Sequence, residues 1–163
     1  MPSAQNYRVV ELKIPSELGY EKVAREAVSA VARRMGFAED RIDDIKTAIS
    51  EACTNAIRYG SRSDARLKFV VVLTADETKL DILIKDPGAS GNPPQSFPIP
   101  DIDGMITGKK RLGGMGLFII QELVDKAEFV KNAEEGGNEF HMVIYRMPDE
   151  TGSPSSETSN GDA

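Results

Sequence analysis

Two stretches of helical periodicity follow each other almost without a break, and that succession decides most of what this chain can fold into. The first runs through "SELGYEKVAREAVSAVARRMG", with Ser16 placed to cap its start and Gly36 to stop it. Val23, Ala27, Ala30 and Val31 recur in it at helical spacing. The second begins near Glu39 and continues through "DRIDDIKTAISEACTNAIRYG", with Ile42, Ile45, Ile49, Ala52 and Ala56 as its apolar stripe. Segments of period two surround them. "YRVVELKIP" is a first strand ended by Pro15, and "ARLKFVVVLT" and "KLDILIKD" form a hairpin across the short turn 75–78. After a third helical stretch, "GGMGLFIIQELVD", the strands "KAEFVKN" and "NEFHMVIYR" pair across "AEEGG". The order β-α-α-β-β-loop-α-β-β lacks the β-α-β alternation of a doubly wound sheet. It predicts an α+β fold, a two-layer sandwich with helices on one face of a mostly antiparallel sheet.

The 163 residues suffice for one domain with a substantial core, expected over residues 1–148. Residues 149–163 carry four acids and no Lys or Arg, and read as a disordered acidic tail. They account for most of the net charge of −6, so the body is near neutral and lacks the basic footprint of direct nucleic-acid binding. One cysteine, Cys53, allows no internal disulfide and suits a reducing, intracellular setting. No apolar run reaches membrane-spanning length and the N-terminus has no signal-peptide core, so a cytoplasmic location away from membranes is expected.

Between the hairpin and the third helix, residues 87–111 are rich in Pro and Gly. A loop of that length inside a compact domain is usually a functional lid or a disordered segment. Three islands of chemistry lie around it. Glu51 and Asn55 sit four apart in "ISEACTNAIRYG", which places them about 40° apart on one helical edge. A carboxylate can take a proton from a hydroxyl and an amide oxygen suits Mg²⁺, although a solvated polar edge would look the same. Asp86 ends a strand before Pro87 and Gly88, which could equally be a plain turn. The glycines of "RLGGMG" open a helix, where free backbone amides favour phosphate, although a hinge is the other reading. Neither a dinucleotide fingerprint nor a P-loop is present: "GMGLFI" lacks a third glycine, and "GMITGKK" has the wrong spacing. Cys53 reads as a small helix residue, and His141, the one histidine, as structural or exposed in a strand.

"ExxxN" on a helix, "DxG" after a strand and "GGMGL" at a helix entrance, in that order, resemble the N, G1 and G2 boxes of the Bergerat-fold (GHKL) ATPases. "EACTNAIRYG" and "GGMGLFIIQELVDKAEF" look most like the RsbW-type anti-sigma-factor serine kinases of bacteria. The resemblance covers nearly the whole folded body and makes residues 1–148 an ATP-binding kinase domain. It implies that Asn55 coordinates Mg²⁺ bridging the ATP phosphates and that Glu51 is the general base for an incoming serine. Asp86 would accept a hydrogen bond from the adenine amino group, with Gly88 letting the backbone pass close to the ring. Arg111 and the amides of Gly113, Gly114, Met115 and Gly116 would close over the phosphates.

Three departures stand out. Arg58 and Tyr59 occupy a region where the family often has histidine, and Pro87 stiffens the turn after Asp86. Gly137-Asn138 stands where the family often has Gly-Thr, and Asn138 could still bond near the adenine. The resemblance implies a protein serine kinase that phosphorylates a STAS-type anti-anti-sigma protein and sequesters a sigma factor in a partner-switching circuit. Alternatives are a nucleotide-binding regulatory module without kinase activity, and the catalytic domain of a histidine-kinase-like protein. Whether the chain forms a homodimer is left open.

Overall fold

The computed structural model describes residues 6–88, 115–131 and 137–147. Their elements follow the expected order. Strand β1 (Arg8–Pro15) leads to helices α1 (Glu21–Met35) and α2 (Glu39–Asn55), and then to strands β2 (Lys68–Ala75) and β3 (Lys79–Asp86). Helix α3 (Met115–Leu123) precedes strands β4 (Lys126–Lys131) and β5 (Asn138–Tyr145). Of the expected lid 87–111, residues 89–111 lie outside the described residues, as does the acidic tail.

The strands form one sheet in the order β1-β2-β3-β5-β4, antiparallel at every pairing. Period-two patterning explains why one face is covered. Phe69, Val71 and Leu73 of β2, Leu80, Ile82 and Ile84 of β3, and Phe140, Met142 and Ile144 of β5 are buried, while the residues between them face away. Against these chains α2 lays Ile42, Ile45, Ile49, Ala52 and Cys53. Full burial of each isoleucine is worth about 1.5–3 kcal/mol, so this stripe fixes which edge of α2 remains for polar residues. Register then places Asn138 of β5 directly opposite Asp86 of β3.

Helix α1 departs from its expected face. Ala24, Val28, Ser29 and Ala32 are buried and Val23 is 50% exposed, so the inward face lies about one residue beyond the sequence stripe. The small Ala24 and Ala32 let α1 lie close on its neighbours, a packing choice that periodicity alone does not distinguish. Gly36 stops the helix as expected, at φ +88, and the Phe37 N–H donates to the Ala32 carbonyl at 3.1 Å.

Ser16 does not cap α1, which starts five residues later. It is fully buried and donates its hydroxyl to Ser61 Oγ at 2.7 Å, while its N–H donates to the Leu67 carbonyl. A buried hydroxyl must be paired, and pairing across the fold won over capping. The second helix is also shorter than its pattern suggests. It ends at Asn55 and continues as a π-helical turn, Ala56–Gly60, in which the backbone relaxes to a wider spiral.

Helix α3 is pinned at its far end. Arg41 near the start of α2 donates to the Leu123 carbonyl at 2.6 Å and pairs with Asp125 at 3.2 Å and Asp44 at 3.4 Å. Asp125 in turn accepts the Tyr145 N–H at 2.8 Å. Among the described residues no helix is long and apolar enough to cross a membrane.

Candidate active site

The last turn of α2 carries Glu51 and Asn55, both half-buried. The stripe Ile45, Ile49, Ala52 and Cys53 holds the helix against the sheet and leaves this pair on the edge that meets α3. There the first turn of α3 arrives. A Cβ placed on Gly116 would stand 2.7 Å from Glu51 Oε2 and 3.7 Å from Asn55 Nδ2. Glycine is what permits that approach. The structure therefore brings two islands more than 60 residues apart in sequence together: the polar edge of one helix and the glycine entrance of another.

Asp86 ends β3, and its carboxyl Oδ1 accepts the Gly88 N–H at 2.7 Å. Gly88 has φ +71, the left-handed turn that glycine adopts without strain. Burial pushes the Asp86 carboxyl above its ordinary value, and hydrogen bonds from the Gly88 N–H and from the Asn138 side chain and backbone partly offset that. Two more glycines surround it. A Cβ on Gly60 would lie 2.5 Å from Asp86 Oδ2, and one on Gly137 would overlap the Asp86 carbonyl oxygen. Asp86 thus sits in a narrow notch beside the end of the sheet, with Gly60 against its carboxyl group and Gly137 against its backbone carbonyl.

Most residues singled out from sequence thus share this end of the molecule: Glu51 and Asn55 with Gly116, and Asp86 with Gly88 and Asn138. Met115 is the first residue of α3. Arg111, Gly113 and Gly114 lie outside the described residues. Gly60 was missed. Its signal was a glycine where the helical period still runs, which costs stability unless something needs the space. Gly137 matches the first residue of the family's Gly-Thr, and the departure there is at Asn138.

Two residues fall away from the site, as expected. Cys53 is fully buried and burial pushes its thiol up, so it stays protonated and unreactive. His141 faces the opposite side of the sheet, with Nε2 on the Asp81 carboxylate and Nδ1 3.5 Å from Glu128. It is a half-buried cross-strand partner of two acids.

The sheet topology and this pairing of a polar helix edge with a glycine helix entrance define a nucleotide-binding α+β domain. The description "histidine kinase-like ATPase domain" matches residues 14–144. The chain belongs to that family, among its RsbW-type serine-protein kinases. It is 36% identical over 129 residues to the serine-protein kinase RsbW of Oceanobacillus iheyensis, covering 74% of this chain and 77% of that protein. Identity is 32% over 131 residues to RsbW of Bacillus velezensis, with 76% and 79% covered. For RsbW of Bacillus subtilis it is 31% over 128 residues, with 74% and 77% covered. Among solved structures, the RsbU and RsbW domains of a Mycobacterium tuberculosis protein superpose with TM-score 0.59 at 18% identity, over 86% of this chain and 33% of that one. The SiaB–SiaC complex of Pseudomonas aeruginosa gives TM-score 0.54 at 14% identity, over 84% and 89%. At those identities the structures support the fold alone.

Proposed function

We propose that the chain is an ATP-dependent protein serine kinase that phosphorylates a STAS-type anti-anti-sigma protein and sequesters a sigma factor. The observation that carries this reading is the seating of Gly116 on Glu51 and Asn55. A carboxylate, an amide and a helix N-terminus there surround one small volume, which supports roles as base, cation ligand and phosphate site. Identity of 31–36% to serine-protein kinases supports the same chemistry.

The residues fit a purine nucleotide and a hard cation. The Asp86 notch presents a carboxylate to an exocyclic amino group, with Gly88 and Asn138 fixing its orientation. The Asn55 amide oxygen would hold Mg²⁺, and the first-turn amides of α3, with Arg111, Gly113, Gly114 and Met115, would receive the phosphates. Bound Mg-ATP supplies the phosphoryl group and the charge neutralisation that lets it transfer. Glu51 accepts the proton of the incoming serine hydroxyl at its carboxylate, so that the serine oxygen attacks as ADP leaves. Among the described residues Glu51 has no hydrogen-bond or ion-pair partner.

The test is incubation of the purified chain with γ-labelled ATP, Mg²⁺ and STAS-domain proteins encoded beside its gene. Label on a serine of one of them is the expected result. Binding of ATP with no transfer to any would reduce the chain to a nucleotide-gated binding module.

A further inference from the structure

Gly60 ends the π-helical turn that follows Asn55, and it is buried. Its φ is not in the left-handed region, so backbone conformation does not demand glycine there. What demands it is the neighbour. An added Cβ would overlap the Asp86 carboxyl carbon and lie 2.5 Å from both Asp86 Cβ and Oδ2. The clash reaches the root of a short side chain, so a rotation of the carboxylate tip alone would not relieve it.

Nor can the turn recoil. The next residue, Ser61, is fully buried, takes the Ser16 hydroxyl at 2.7 Å, and donates its N–H to the Ala56 carbonyl at 2.9 Å. Ser63 donates to the Ile57 carbonyl at 2.8 Å, and Ile57 is itself fully buried. On the other side Asp86 is tied to Gly88 and Asn138. A methyl group at position 60 therefore displaces Asp86.

We propose that Gly60 is a positioning residue for nucleobase recognition: the space left by its missing side chain seats the Asp86 carboxylate, so position 60 sets how strongly the chain selects a purine bearing an exocyclic amino group. The proposal rests on the reading of Asp86 as the acceptor for the adenine amino group. It also makes the turn Ala56–Gly60 the physical link between the phosphate end at Asn55 and the base end at Asp86.

The experiment measures affinity by calorimetry for ATP and for purine riboside triphosphate, which lacks only the amino group. Both ligands are tested on the full chain and on Gly60→Ala. The native chain should prefer ATP by about tenfold or more, the loss of one hydrogen bond to a charged acceptor, and Gly60→Ala should erase that preference while holding the amine-free ligand within about twofold. A preference that survives in Gly60→Ala overturns the role of Gly60 and leaves Asp86 intact. No preference in the native chain overturns the Asp86 reading itself and this proposal with it. Equal loss of both ligands assigns Gly60 a merely structural role, against the proposal. Should Gly60→Ala not fold, adding Asp86→Gly removes the atoms it meets. Recovery of the native circular dichroism then supports the seating, and continued failure to fold overturns it.

Discussion

Asp86 is the residue whose environment says most. Burial raises its carboxyl above the ordinary value of 3.8, with the Gly88 and Asn138 hydrogen bonds as partial compensation. Because the folded-state value lies above the unfolded one, the folded chain holds this proton more tightly. The stability contributed by Asp86 therefore grows as pH falls through the raised value and levels off below 3.8. Binding runs the other way, since the ionised carboxylate is the stronger acceptor. ATP affinity is expected to decline on acidification while the pH is still above 3.8, whereas affinity for purine riboside triphosphate follows only phosphate protonation. Calorimetry of the two ligands side by side checks this, and parallel pH profiles would remove Asp86 from base recognition. Asp86→Asn should lower ATP affinity at least about tenfold, because an amide can turn an N–H toward the donor.

Among the elements, the start of α3 decides the geometry of the site. Arg41 holds its C-terminal end to α2 through the Leu123 carbonyl and Asp125, and Gly116 seats its first turn on Glu51. Gly116→Ala places a methyl against Glu51 Oε2, the far end of a flexible side chain that can swing aside. Helix propensity gains up to about 1 kcal/mol from the same change, so the melting temperature should hold or rise. Phosphotransfer should nevertheless fall about 10²-fold, the lower range for loss of a positioned base, because Glu51 is displaced and not deleted. Unchanged kcat in the folded variant would mean that the geometry of Glu51 against α3 is irrelevant to the chemistry. The legible and illegible parts of these elements divide by cause. Strand and helix order, the α2 stripe and the polar pair Glu51–Asn55 follow from local periodicity. The inward face of α1 and the end of α2 at Asn55 do not, because both are set by what packs against them.

Across the whole molecule, antiparallel register assembles the site. Asn138 meets Asp86 because β5 inserts between β3 and β4, a pairing of residues 52 apart that no local pattern announces. Gly60 and Ser16 were opaque in sequence for the same reason: the Asp86 carboxyl and the Ser61 hydroxyl that explain them come from elsewhere in the chain. The family motifs were legible because their order along the chain survives folding, while the walls of the notch had to be seen in three dimensions. A site built across α2, β3, β5 and α3 should couple ligand binding to global stability. Mg-ATP at about 100 times its Kd should stabilise the chain by about 2.7 kcal/mol, read as a rise in melting temperature that Asp86→Asn reduces at the same ligand concentration.

The proposed role of Glu51 is the proton transfer of a serine kinase whose nucleotide is held by other residues. The most direct measurement pairs a phosphotransfer assay with a nucleotide-binding assay on one preparation of Glu51→Gln. That substitution keeps the shape beneath Gly116 and removes the base. Serine phosphorylation should fall by about 10²–10⁴-fold, with Mg-ATP affinity retained through Asn55, Asp86 and α3. Phosphorylation at near-native rate in the folded variant would contradict that role.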